Sequence, residues 1–314
     1  MDPATARRLI AAQFPELSPR RAELLGEGSD FHAYLVDERW VFRFPKGAYG
    51  AARLRPEIAL LPALAAALPL PVPDYRFVGA PTADFDRPFA GYPRLPGVPA
   101  TRVTLSPGAK AAAASALGIF LACLHRQDRA AAMAAGARRG AADGRMAQLR
   151  DRALTNLAAV WATLPPRIRR RCRRFLHDRG RLPADHDGPG RLIHADLAAE
   201  HVLIDARGAI TGVIDWTDMR IDDVAFDFAG LWYWQGERGL AIALRRYGGD
   251  SDPHLRQRAR HIGLAKALED IRYGCAANDP AYAAAGRRCL ARMFGRAARR
   301  PPAGLLSATR SPQR

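Results

Sequence analysis

Lysine is nearly missing from this sequence: of 48 basic residues, only Lys46, Lys110 and Lys266 are lysine. The rest are arginine, so part of the net charge of +17 reflects an arginine- and alanine-rich composition rather than a binding surface. Cysteine is also scarce. Its four copies (Cys123, Cys172, Cys275, Cys289) stand far apart with no CxxC spacing. That argues against a zinc site or a disulfide framework and for a reducing cytosol. No uninterrupted apolar run reaches the roughly 18 residues of a membrane span. The N-terminal stretch MDPATARRLIAAQF has no apolar leader core. Secreted disulfide scaffolds, collagens, coiled coils and integral membrane proteins are thereby excluded. What remains is a cytoplasmic chain of 314 residues, 48% hydrophobic and 25% charged, long enough for one large domain or two ordinary ones.

A helix is expected from Pro3 to Phe14, capped by Asp2. Residues 24–36, LLGEGSDFHAYLV, read as a strand, a glycine turn and a second strand. WVFRFPK, 39–46 with its leading arginine, reads as a third, with Val41, Arg43 and Pro45 on one face and Phe42 and Phe44 on the other. A helix is expected from about Arg55 to Ala67, carrying Glu57, then strands in LPLPVPDYRFVG and FAGYPRLPG. From Ser106 the texture turns helical. A long helix follows Pro107, and 130–190 is mostly helical, broken at Pro165-Pro166 and near Gly180. Leu203-Ile204 and Gly212-Val213-Ile214 pair as short strands around Arg207-Gly208, and helix resumes from Val224 to about Ala298. The plan is a small β-rich N-lobe (1–95), a hinge near 92–97, a larger helical C-lobe (96–300) and a mobile tail (301–314).

The chemistry is concentrated in His194-Ala195-Asp196, then His201, then Asp215 in Ile-Asp-Trp. A carboxylate, a candidate metal ligand five residues on, and a hairpin returning a second carboxylate suit phosphoryl transfer. Asp196 would orient an acceptor hydroxyl and take its proton, while Asp215 would hold a divalent metal on nucleotide phosphates. His201 is the candidate second metal ligand or phosphate contact. A packing histidine is its alternative, because Mg2+ prefers oxygen. His194 reads as a structural residue of the loop. Gly26-Glu27-Gly28-Ser29-Asp30 would let backbone N–H groups, those of Gly28 and Ser29 among them, approach phosphate; an ordinary hairpin turn is the alternative.

These motifs resemble the protein-kinase-like antibiotic phosphotransferases, whose usual form is HGDxxxxN followed by IDW or IDF. GEGSDFHAYLV, WVFRFPK, Glu57, LPLPVP and FAGYPRLPGVPAT are similar to the nucleotide lobe of the aminoglycoside enzymes, and HVLIDARGAITGVIDWTDMRIDDVAFDFA is similar to macrolide phosphotransferases. The resemblance implies an α+β, bilobal protein-kinase-like fold that uses Mg2+ with ATP or GTP as donor. It implies an Arg43–Glu57 pair fixing the α- and β-phosphates, with Lys46 the second candidate there. Tyr92, Pro93 and Leu95 would form a hinge holding the purine, and Asp227 would brace the catalytic loop. Histidine at 201 is the choice of both antibiotic subgroups. Ala195 stands where the family has glycine, a change without cost if its backbone torsion is ordinary.

The acceptor is read less directly. Glu269 and Asp270 resemble an acidic stretch of the aminoglycoside enzymes. Trp232 and Trp234, in Leu231-Trp232-Tyr233-Trp234, sit where that subgroup is acidic and macrolide enzymes are apolar. Asp218, with Asp222 and Asp223, is either an acceptor contact or a solvated loop acid. The expected partners are a nucleotide and a small-molecule antibiotic, an aminoglycoside before a macrolide, with no membrane and a monomeric state. The competing class, a nucleic-acid binder, rests on the basic run from Arg167 to Arg174 and is set below a solvated helix face.

Overall fold

The computed structural model describes residues 1–140, 145–178, 180, 182–248 and 252–294. The expected tail lies outside them, as does the end of the last expected helix. Helix α1 (Pro3–Gln13) starts where Asp2 accepts the Thr5 N–H at 2.9 Å. Strands β1 (Ala22–Glu27), β2 (Phe31–Val36) and β3 (Trp40–Pro45) follow as an antiparallel meander. Then come α2 (Ala48–Ala67), β4 (Phe77–Gly79) and β5 (Phe89–Pro93). The sheet order is β1-β2-β3-β5-β4, antiparallel throughout.

The alternation read along β3 holds. Phe42 and Phe44 join Ala6, Leu9 and Ile10 of α1 in one core beneath the sheet. Val41 belongs to the other face, with Leu54, Leu61 and Leu64 of α2. Two expectations differ. Helix α2 begins at Ala48, not Arg55, and carries Pro56 and Pro62 in its interior. The stretch LPLPVPDYRFVG forms a strand only over its last three residues. Pro69, Pro71 and Pro73 cannot donate to a ladder.

The remainder is mostly helical, with short strands between the helices. In order come β6 (Val98–Pro99), α3 (Pro107–Leu124), α4 (Arg129–Ala134), β7 (Arg138–Arg139), α5 (Arg145–Ala159) and α6 (Pro166–His177). Next are β8 (Arg191–Ile193), β9 (Val202–Ile204), β10 (Ile210–Val213) and β11 (Arg220–Asp222), then α7 (Ala225–Tyr247), α8 (Leu255–Ala276) and α9 (Pro280–Phe294). Strands β10-β9-β6 and β7-β11-β8 form two small sheets. The Pro71 carbonyl accepts the Val213 N–H at 2.9 Å, so the proline run ties to the end of β10. Helix α3 is long and apolar enough to cross a membrane by composition alone. Here Leu117, Phe120 and Leu121 are fully buried, and the helix packs against α7.

Candidate active site

A cleft of about 650 Å³ separates the N-terminal sheet from the helical part. That volume falls in the range of small-molecule and cofactor sites. It is lined by the β1–β2 turn (Gly28, Ser29), by Arg43, by Tyr92 near the end of β5 and by Leu95 just beyond it. From the far side come Asp196, His201, Asp215 and Asp218. The spacing read in the sequence thus brings the candidate base and metal ligands to one wall.

Strand β8 ends just before His194, and the loop it feeds is held from behind. His194 is fully buried; its Nε2 lies 3.0 Å from the Ile214 carbonyl, and its Nδ1 faces the Asp196 N–H at 3.3 Å. Burial pulls its pKa down, which suits the structural role assigned to it. Asp227, on the first turn of α7, accepts the N–H groups of Ala195 at 2.7 Å and His194 at 3.1 Å, and contacts His125 Nε2 at 3.0 Å. Ala195 has φ +73°. The condition attached to replacing glycine is therefore not met: the torsion is left-handed, and the alanine is strained there.

Past Asp196 a turn of 3-10 helix presents His201. Its Nδ1 lies 2.8 Å from the Asp196 carbonyl, leaving Nε2 facing Asp215 Oδ2 at 3.5 Å. Burial pulls the His201 imidazole down, but the carboxylates of Asp196 and Asp215 outweigh it and hold the pKa above the ordinary histidine value. Asp215 also has a left-handed torsion, φ +62°. Burial pushes its carboxyl up, yet Arg43, His201 and the Thr217 hydroxyl bring it down to about 2. It is ionised at neutral pH.

Arg43 joins the two sides of the cleft. Its Nη1 donates to Glu57 Oε2 at 2.5 Å, and its Nη2 donates to Thr217 Oγ1 at 2.7 Å and reaches Asp215 Oδ1 at 3.3 Å. Its guanidinium lies over the Phe31 ring, 4.1 Å from the centroid. Glu57 is buried and also accepts the Tyr75 hydroxyl at 3.0 Å. Only a planar fork meets partners on α2 and on the loop after β10 at once. Lys46 pairs with Glu27 at 2.5 Å instead. Tyr92 lines the cleft and packs edge-on against Tyr75, rings 5.3 Å apart. Pro93 pairs with Trp40 in the β3–β5 ladder.

The expected acceptor residues are dispersed. Asp218 lines the cleft, ion-paired to Arg53 of α2. Trp232 is 3% exposed, with its indole N–H on Glu237 at 2.8 Å, and Trp234 packs on the main core. Glu269 is exposed on α8 and lies outside the cleft lining. Asp270 is buried and accepts the Tyr233 hydroxyl at 2.7 Å. Asp222 and Asp223 are buried partners of arginines, Asp222 of Arg145 and Arg220, Asp223 of Arg258.

Three residues that the sequence reading did not assign stand in the site: Thr217 between Arg43 and Asp215, Arg53 on the Thr217 carbonyl at 3.1 Å, and Lys266 of α8 at 3.5 Å from Asp196 Oδ1. The rarity of lysine was the available signal for Lys266. Thr217 and Arg53 carried none.

The pair His201 and Asp215 can hold a divalent cation. With Nδ1 against main chain, His201 Nε2 faces the same space as the ionised Asp215 oxygen. Among the described residues no group of three or more such side chains forms a protein-only cage. Two protein ligands with phosphate and water completing the shell is the usual Mg2+ arrangement beside a nucleotide.

The model of the phosphotransferase enzyme family matches residues 21–261. The chain superposes on the GDP and kanamycin complex of APH(2")-IIia with TM-score 0.68 and 28% identity, covering 90% of this chain and 96% of that one. It superposes on macrolide 2'-phosphotransferase MphH from Brachybacterium faecium with TM-score 0.59 and 28% identity, covering 92% and 97%. A curated relative, uncharacterized protein YcbJ of Bacillus subtilis (strain 168), is 42% identical over 60 residues, 19% of this chain. The chain spans about a fifth of that relative's length.

Proposed function

Because this chain belongs to the phosphotransferase enzyme family, we propose that it moves the γ-phosphoryl group of ATP or GTP to a hydroxyl of an antibiotic. Residues 1–95 would form the nucleotide lobe and 96–300 the catalytic and acceptor lobe of a kinase-like fold, working as a cytoplasmic monomer. The observation that carries the reading is the pair of carboxylates Asp196 and Asp215, joined through His201 on one cleft wall and facing the Arg43–Glu57 pair. Asp196 orients the acceptor hydroxyl and takes its proton. Arg43, fixed by Glu57, positions Asp215 and the phosphate-binding side of the cleft. A Mg2+ ion held by His201 and Asp215 would neutralise phosphate charge. Gly28 and Ser29 offer backbone N–H groups to the phosphates, and Tyr92, Pro93 and Leu95 border the base.

An aminoglycoside acceptor is supported by the higher TM-score of the kanamycin-bound relative. A macrolide is the second reading, and one observation favours it. Asp218 and Asp270 are already ion-paired or hydrogen-bonded within the protein, and Lys266 adds a cation beside Asp196. A polycationic acceptor needs free carboxylates and would have to draw on other acids of the cleft lining, such as Glu200.

The test offers purified protein ATP or GTP with an aminoglycoside and a macrolide, reading diphosphate release and the mass of the product. Asp196→Asn is run alongside. It should lower kcat by about 10²–10⁴ with nucleotide affinity within a few-fold, since a positioned base contributes that much. Wild-type turnover in that variant would remove Asp196 from the mechanism.

A further inference from the structure

Lys266 is one of three lysines in an arginine-dominated chain, and α8 aims it into the cleft. Its Nζ lies 3.5 Å from Asp196 Oδ1 and 3.8 Å from Asp270 Oδ1, one helical turn further on. Asp270 is itself fixed by the Tyr233 hydroxyl, so the lysine has a defined anchor behind it. Burial pulls the ammonium toward neutrality, but the carboxylates of Asp196 and Asp270 outweigh it and hold it protonated.

Lys266 thereby ends a line of groups that crosses the cleft. Lys266 faces Asp196, Asp196 lies 3.6 Å from His201, His201 lies 3.5 Å from Asp215, and Asp215 lies 3.3 Å from Arg43. The two guanidinium nitrogens of Arg43 that reach into this line are occupied by Glu57, Thr217 and Asp215. The base end therefore has a different cation. There, a carboxylate must work beside a polyanionic phosphoryl group, and like charges repel unless a cation lies between them.

We infer that Lys266 is a catalytic cation of the transfer, contacting the phosphoryl oxygens as the group passes to the acceptor. The inference rests on the phosphotransferase reading. In the step, an acceptor oxygen lone pair forms the new O–P bond. The bond from phosphorus to the bridging oxygen breaks, and its electron pair stays on the departing nucleoside diphosphate. The acceptor proton goes to Asp196. As Asp196 is neutralised, Lys266 loses one anionic partner and gains another in the phosphoryl oxygens, so its charge is used most fully in the transition state.

Lys266→Met and Lys266→Arg in the full chain test this. The probes are kcat and KM for the acceptor, and affinity for nucleoside diphosphate alone and with aluminium fluoride, a planar phosphoryl mimic that needs no acceptor. Lys266→Met should lower kcat and the affinity gained with aluminium fluoride by on the order of 10² each. Acceptor KM and diphosphate affinity should stay within a few-fold, and Lys266→Arg should recover much of both losses. A raised KM at unchanged kcat would make Lys266 an acceptor-recognition group and overturn the inference. A lowered unfolding midpoint with unchanged kcat and aluminium fluoride affinity would reduce it to a tie between α8 and the loop. If no antibiotic is phosphorylated, the aluminium fluoride comparison still decides the role of Lys266, while the acceptor reading alone fails.

Discussion

Two residues of the cleft wall, Ala195 and Asp215, have left-handed backbones, a region that residues other than glycine, asparagine and aspartate rarely adopt. Each is held by bonds made elsewhere. The Ala195 N–H is fixed on Asp227, and the Asp215 carboxylate is fixed by Thr217 and Arg43. Strain at such positions persists only where the surroundings over-determine it. The left-handed region costs an L-residue roughly 1–2 kcal/mol. Glycine removes that cost but adds about 0.4–1 kcal/mol of unfolded-state entropy. Ala195→Gly should therefore stabilise the protein by about 0–1.6 kcal/mol, read as a higher urea midpoint at unchanged slope. Turnover should change little, because the loop keeps its Asp227 bonds. A lower midpoint would mean that the alanine methyl makes a compensating contact.

The elements that matter most are β8 with its loop and α7 behind it. They approach closely: a Cβ at Gly230 would lie 1.8 Å from the Leu197 carbonyl oxygen, so α7 can seat against the loop only with glycine there. Asp227, fully buried on α7, then reaches two loop N–H groups and His125. Burial raises its carboxyl, but the His125 contact and the Ala195 N–H outweigh it and hold the pKa below the ordinary value. A depressed native pKa gives stability that is fully present above the unfolded value, about 3.9. It is lost as pH falls through the lower native value. Asp227→Asn has one acceptor oxygen where two are used, and its amide would point at a donor. It should cost on the order of 3 kcal/mol at pH 7. The gap to wild type should close as pH falls from about 4, measured by urea unfolding across pH. A gap constant with pH would mean that the charge of Asp227 carries none of the effect. The meeting of Asp196 and Asp215 on one cleft wall was legible in the sequence because one hairpin fixes their spacing. So were the faces of β3, because strand alternation is local. Trp232 and Trp234 were not: which face of a helix meets the cleft depends on how α7 and α8 pack. The long approach of Lys266 and Arg53 to the loop joins residues that only the tertiary fold brings together.

At the scale of the molecule, the two sides of the cleft share one interior. Leu54, Leu61 and Leu64 of α2 and Tyr92 of β5 belong to the same buried cluster as Leu117 and Phe120 of α3 and Leu268 of α8. Among the described residues, only the far face of the sheet, against α1, has a separate core. Polar ties add to this join: Arg43 to Asp215, Arg53 to the Thr217 carbonyl and Asp218, and Pro71 to Val213. A continuous apolar interior opposes independent unfolding of its two sides, because exposing either uncovers surface of the other. Tryptophan fluorescence, with Trp40 in the sheet and Trp216 and Trp232 among the helices, should therefore report the same urea midpoint as far-UV circular dichroism, which is dominated by the helices. Nucleotide at a hundred times its Kd should shift both probes together, by about 2.7 kcal/mol. Two separated transitions, or a nucleotide shift confined to fluorescence, would show that α2 and the proline run are too weak a join. The sheet would then unfold on its own.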